Sequence, residues 1–220
     1  MNIILLFSEL VLTLSTLIVL YHKYKKEGIY AWIVLATILS NIMITKTINI
    51  SGLDINLGII IIATIFIATN LLIQKEGEKE TNKIILTIFL TSLLTNFLLI
   101  LVSFLDISSL TTSMDNAYNK LVINNILLIT INNIILLITL KINSYLYYKV
   151  KIIENKIWVS NIISMMVSEL IYGILLGTMY LSYYHTFFDT TIITIIRFLF
   201  AILTQSLGTI IIYYFNNQKS

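Results

Sequence analysis

Runs of about twenty apolar residues, each closed by a short polar or charged stretch, recur along the whole chain. Seven are legible: 2–20, 29–45, 56–73, 84–105, 121–140, 158–181 and 190–215. A helix crossing a hydrocarbon core needs roughly 20 such residues, so each run predicts one membrane span. Barrel strands would alternate with period two in segments of about ten residues, and these runs are continuous. The first run has neither a basic stretch before it nor a small-residue cleavage site, so a helix is expected there and not a signal peptide. The expected fold is an all-α polytopic transmembrane bundle of about seven spans, a six-helix core plus an N-terminal helix. No Pro-, Gly- or Ser-rich linker divides it, and a single domain over 1–220 is the economical expectation.

Composition agrees. The chain is 58% hydrophobic and 11% charged, with a mean hydropathy of +0.93, whereas soluble domains carry about 25% charged residues. It has no Cys and no Pro, which excludes disulfides, thiol catalysis and thiolate-held metal. Charge adds orientation. The connections after spans 1, 3 and 5 hold Lys23, Lys25 and Lys26, then Lys75, Lys79 and Lys83, then Lys141, Lys149, Lys151 and Lys156, and Lys219 follows the last span. The opposite side holds only Lys46 and Lys120. The positive-inside rule then puts the C-terminus on the cytoplasmic side and the N-terminus outside. Trp32, Trp158, Tyr213 and Tyr214 are expected in the inner aromatic belt, and Tyr180, Tyr183, Tyr184, Phe187 and Phe188 in the outer one.

The stretch from Asn41 to Lys83 keeps polar groups where Ile or Leu would serve: Asn41, Thr69, Asn70 and Gln74, with Lys46 and Gly52 in a polar turn. Hydrocarbon penalises such groups unless they find partners, so each is either a bond between helices or a contact to a ligand. Asn125 and Asn132, seven apart, present the same choice. Gly173 and Gly177 form a G-x-x-x-G that allows close helix approach, within a subunit or in a homo-oligomer. Inside the spans lie Glu9, Glu169 and Arg197. Intramembrane charges pair or line a cavity, and a Glu169–Arg197 pair is the preferred expectation over a snorkelling Arg and a protonated Glu. His22 and His185 fall on opposite sides of the membrane, so no metal site is expected. No nucleophilic triad, phosphate-binding glycine loop or H-E-x-x-H helix is present. No cofactor and no enzymatic activity are expected.

Several spaced blocks carry a resemblance. KKEGIYAWIVLATILSNIMITKTINISGLDINLG, ATIFIATNLLIQKEGEK, AYNKL, INSYLYYKVK and IWVSNIISMMVSELIYGILL together resemble the queuosine precursor transporter family, also described as vitamin uptake transporters. The resemblance implies a helical importer of a 7-deazaguanine such as preQ0, preQ1 or queuine. It also marks departures. The family's T-D-I-L-x-E corresponds to Thr69, Asn70, Leu71, Leu72, Ile73 and Gln74, with both carboxylates replaced by amides, and the usual Asp after span 5 corresponds to Asn143. In span 6, an Arg has become Ser160, a Gln has become Glu169 and an Asp has become Tyr172, while Asn161, Ser164 and Ser168 fit; a Lys of the last span corresponds to Arg197.

Amides suit a neutral heterocycle, because each offers a donor and an acceptor without holding charge in the membrane. Asn70 and Gln74 share one helix face, as do Ser164, Ser168 and Tyr172, and an aromatic ring can stack on a flat base. The expected small-molecule site is lined by Asn41, Asn70, Gln74, Asn161, Ser164, Glu169, Tyr172 and Arg197, with Lys46 near the outer mouth. The alternatives are a diverged member handling another small neutral compound, and a non-transporting structural protein. A structural bundle would hide these groups in pairwise helix contacts.

Overall fold

The computed structural model describes residues 2–50, 53–105, 112–154, 156–183 and 186–217. Its elements are α1 (Asn2–Met43), β1 (Thr47–Ile50), β2 (Leu53–Asn56), α2 (Ile59–Glu76), α3 (Glu78–Val102), α4 (Thr112–Leu121), a 3₁₀ turn (Ile123–Asn125), α5 (Ile126–Glu154), α6 (Ile157–Tyr183) and α7 (Phe187–Asn217). Six stretches among the described residues are long and apolar enough to cross a membrane.

The first of these corresponds to two of the expected spans. Lys25 has φ 55° and ψ −126° inside α1, conformations that L-residues enter at a cost, and the helix folds back there. A Cβ on Gly28 would lie 2.1 Å from the carbonyl oxygen of Leu20. In a straight helix those residues are about 12 Å apart along the axis. Residues 2–24 and 26–43 are therefore two antiparallel arms. At the far end Asn2 Nδ2 donates to the Asn49 carbonyl at 3.1 Å, so the chain returns to the level of β1.

The core is α2. Every residue from Ile59 to Ile73 is buried, because α1, α3, α5, α6 and α7 all pack on this one helix. A helix apolar on all sides is one surrounded on all sides. The helix α3 shows the opposite pattern. Its Ile85, Ile88, Ser92 and Asn96 face inward, while Leu86, Leu90, Leu94, Phe97 and Leu101 are exposed. These exposed residues recur every three or four positions and form an apolar stripe suited to lipid.

Some boundaries differ from expectation. The polar turn after span 2 contains an antiparallel hairpin, with Ile48 opposite Ile55 and Asn49 opposite Asp54. The alternation T-I-N-I and L-D-I-N around Ser51 and Gly52 is the signal for it; Ser51 and Gly52 lie outside the described residues. Ile55 packs with Ile59, Ala63 and Ala201, anchoring the hairpin to α2 and α7. The basic connection expected after Leu140 is instead a continuation of α5 to Glu154, since nothing between Lys141 and Glu154 breaks a helix. Trp32, expected in the inner belt, is core at 3% exposure, whereas Trp158 and Phe187 are exposed. The side chains of Tyr180, Tyr183, Tyr184, Phe188, Tyr213 and Tyr214 lie outside the described residues.

Between α2 and α3 the chain turns on Gly77, with φ 85° and ψ 171°. Only glycine enters this backbone region readily. Lys26 Nζ lies 3.9 Å from Glu76, which puts the fold-back of α1 beside this turn, at one end of the bundle.

Candidate functional site

Five helices contribute to a chain of polar side chains inside the bundle. Helical spacing decides which residues take part. On α6, Asn161, Ser164, Ser168 and Tyr172 follow steps of three and four and form one face. On α5, Asn132 and Asn143 are eleven apart, three turns of helix, and also share a face. The antiparallel pairing of α5 with α6 then sets Asn143 level with Ser164 and Asn132 level with Tyr172, giving two tiers roughly 12–16 Å apart by helix rise.

In the first tier, Asn143 Nδ2 donates to Asn70 Oδ1 at 2.7 Å, and Asn70 Nδ2 donates to Ser164 Oγ at 3.0 Å. All three are fully buried, and Asn70 joins α2 to α5 and α6 at once. In the second tier, Asn132 Nδ2 donates to Asn41 Oδ1 at 3.0 Å, and the Tyr172 hydroxyl donates to Asn132 Oδ1. The guanidinium of Arg197 covers the Tyr172 ring at 4.2 Å from its centroid, and Phe66 meets that ring edge-on at 6.4 Å. Arg197 Nη2 lies 3.5 Å from Glu169 Oε1, with both side chains almost fully buried. The expected Glu169–Arg197 pair is formed, and Tyr172 links it to the amides.

Several polar atoms along this chain are buried without a hydrogen bond: Asn143 Oδ1, Asn161 Oδ1, Ser168 Oγ, both oxygens of Glu169 and all three nitrogens of Arg197. Buried polar groups are nearly always satisfied, and these atoms on α5, α6 and α7 keep unused donor and acceptor capacity, as do others in the bundle such as Asn133, Tyr147 and Gln205.

The sequence-derived residues divide accordingly. Asn70 and Ser164 meet in the first tier, with Asn161 one turn away on the same face of α6, and Asn41, Glu169, Tyr172 and Arg197 belong to the second. Gln74, one turn beyond Asn70, is only half-buried. Lys46 is exposed, and its carbonyl accepts from the Leu57 N–H at 3.1 Å, closing the base of the hairpin. Glu9 Oε1 is buried on the first arm of α1 without a hydrogen bond. Asn125 is spent on the carbonyls of Lys120 and Leu121. Asn132 and Asn143 are more central to this polar chain than expected, and their eleven-residue spacing was the available signal.

A base stacked on Tyr172 would share the ring with Arg197, which already covers one face. Gly173 and Gly177 face α7 of the same chain. A Cβ at Gly177 would stand 2.6 Å from Thr194 Oγ1, and one at Gly173 would stand 3.4 Å from Thr194 Cγ2. Their close approach is therefore made within the chain. Among the described residues no cluster of His, Cys, Asp or Glu could hold a metal ion.

A polytopic bundle with a buried polar chain crossing from helix to helix is the build of a multi-pass membrane protein that keeps polar groups within its spans. The family model described as "Putative vitamin uptake transporter" matches residues 56–215, and the chain belongs to this family. It is a family of transporters, in agreement with the expectation of a non-enzyme. A curated relative, "Probable queuosine precursor transporter" of Bacillus subtilis (strain 168), is 34% identical over 84 residues, covering 38% of this chain and 37% of that protein. The match thus spans well under half the length of that relative. No solved structure matches.

Proposed function

We propose that the chain is an importer of a 7-deazaguanine precursor of queuosine across the cytoplasmic membrane, with seven crossings, an outer N-terminus and an inner C-terminus. The observation that carries this reading is the buried polar chain itself, in which amides, hydroxyls and one ion pair from five helices converge and leave acceptors and donors unused. Such groups match the mixed donor and acceptor edge of a neutral deazapurine, and the Bacillus relative carries a name of that substrate class. The substrate would contact Asn41, Asn70, Asn161, Ser164, Glu169, Tyr172 and Arg197, with Gln74 at the inner margin and Lys46 near the outer mouth.

A second reading has its own support. Asn41 with Asn132, and Asn70 with Asn143 and Ser164, satisfy one another across helices, which is also how a structural bundle would use them. The two readings part on uptake. Cells lacking both queuosine-precursor synthesis and their own importer are supplied with labelled preQ0, preQ1 or queuine. Uptake is expected with the wild-type chain and is lost in Asn70→Ala and Glu169→Ala at equal membrane abundance. Absence of uptake for every precursor by well-expressed protein favours the structural reading or another neutral substrate.

A further inference from the structure

The contact between Arg197 and Glu169 is close in distance and poor in geometry. Guanidinium–carboxylate pairs at their best are bidentate, with N···O distances of about 2.7–2.9 Å. Here the nearest pair of atoms is 3.5 Å apart, and no nitrogen of Arg197 or oxygen of Glu169 makes a hydrogen bond of good geometry. The carboxylate therefore keeps its accepting capacity, fully buried, beside the face of a buried tyrosine. Such a slot suits a flat group with two parallel N–H donors that lies on the ring and points its donors at the carboxylate. A guanidinium has that pattern. The ring N–H and exocyclic amino group of a 7-deazaguanine have the same pattern on a neutral plane.

We propose that Arg197 is a resident stand-in for the base. Its guanidinium occupies the slot between the Tyr172 ring and the Glu169 carboxylate, and the incoming base takes its place with the N–H and NH₂ edge on Glu169. The proposal rests on the reading of the chain as a 7-deazaguanine importer. It adds which group reads the base and how the empty site avoids a bare buried carboxylate, a costly state. The cleft beside Arg197 between α6 and α7, lined by Gly173, Gly177, Thr190 and Thr194, measures about 10 Å³, room for no more than one water, so the displaced side chain requires these two helices to part. The positive charge stays near Glu169 throughout the exchange.

The test uses the full chain in lipid nanodiscs, tritiated 7-deazaguanine as the probe, and unlabelled 7-deazaguanine and 7-deazahypoxanthine, which lacks the amino group, as competitors. Wild-type protein is expected to prefer 7-deazaguanine by at least about tenfold, the worth of one charge-assisted hydrogen bond. In Glu169→Gln the preference should shrink to about threefold or less. Arg197→Lys keeps the charge but loses the flat fork. It should bind 7-deazaguanine about tenfold more tightly, because the site no longer spends its time filled by a mimic. Equal competition by the two compounds in wild-type protein overturns the proposal without any variant. So does a preference unchanged in Glu169→Gln, or weakened binding in Arg197→Lys; in these cases the importer reading stands. If wild-type protein binds no 7-deazaguanine, the importer reading fails and the stand-in with it.

Discussion

Replacing Asn132 by Ala tests whether the polar tiers hold the helices together. The side chain donates to Asn41 on α1 and accepts from Tyr172 on α6, so truncation leaves an amide oxygen and a hydroxyl without partners at sites 6% and 0% exposed. A buried group left unsatisfied costs about 1–3 kcal/mol in general. Hydrogen bonds between membrane helices average about 0.6 and reach about 1.7 kcal/mol, because the unfolded state in lipid also finds partners. Two such bonds lost together give about 2 kcal/mol, near a 30-fold change in the folded-to-unfolded ratio. Reversible unfolding in bicelles, followed by steric trapping, would read this directly. Tyr172→Phe keeps the ring under Arg197 and removes only the hydroxyl, for about 1 kcal/mol. A double-mutant cycle of Asn132→Ala with Tyr172→Phe should show a coupling above about 0.5 kcal/mol. The lipid-side control is Ile134→Ala, at a residue 42% exposed two positions along the same helix. If Asn132→Ala costs no more than this control and shows no coupling to Tyr172, the tiers do not hold the bundle together.

Other outcomes follow from single contacts. Gly28→Ala sets a Cβ against the backbone of Leu20, which cannot rotate away, so the fold-back of α1 should open and stability fall by about 3 kcal/mol or more, measured by the same unfolding assay. Gly77→Ala meets no atom within 4 Å and should still cost about 1–3 kcal/mol, since φ 85° with ψ 171° strains any Cβ-bearing residue. Glu169→Ala leaves Arg197 buried without its counter-charge and should cost about 3–5 kcal/mol, whereas Glu169→Leu combined with Arg197→Met should recover most of it; thermal unfolding in detergent separates the two. For orientation, a cysteine at Asn49 should react with a membrane-impermeant maleimide added to intact cells, and one at Glu78 only after permeabilisation; the reverse pattern would invert the assignment.

Fold class was readable from the lengths of the apolar runs, because bilayer thickness fixes how long a spanning helix must be. The fold-back at residues 23–28 was readable too, since lysines and Gly28 interrupt the pattern. The hairpin was harder. Eight residues of alternation beside a long helical run are easily taken for a polar turn, and its strands gain stability from packing on α2 and α7. Within the site, the charge pair was foreseeable because an intramembrane Glu and Arg have few alternatives. The role of Asn132 and Asn143 was less visible, since many asparagines in this chain lie in or near spans and only the helix-to-helix register decides which ones meet. Asn132 and Asn143 reach Asn41 and Asn70, while Asn125, on the same run, turns back to its own backbone. The burial of Trp32 has the same origin, because its position along the chain suits an interface while the rotation of its helix turns it into the core.

The enclosure of α2 changes what counts as solvent for that helix. When membrane helices first insert, each is bathed in lipid, and α2 is apolar enough to stay there alone. In the finished bundle it has exchanged essentially every lipid neighbour for a protein one, so the cost of keeping Asn70 in the membrane passes from the bilayer to the partners on α5 and α6. Docking of α2 and burial of its polar group are therefore one event in assembly. The helix that carries the first polar tier is also the one that the other long helices close around.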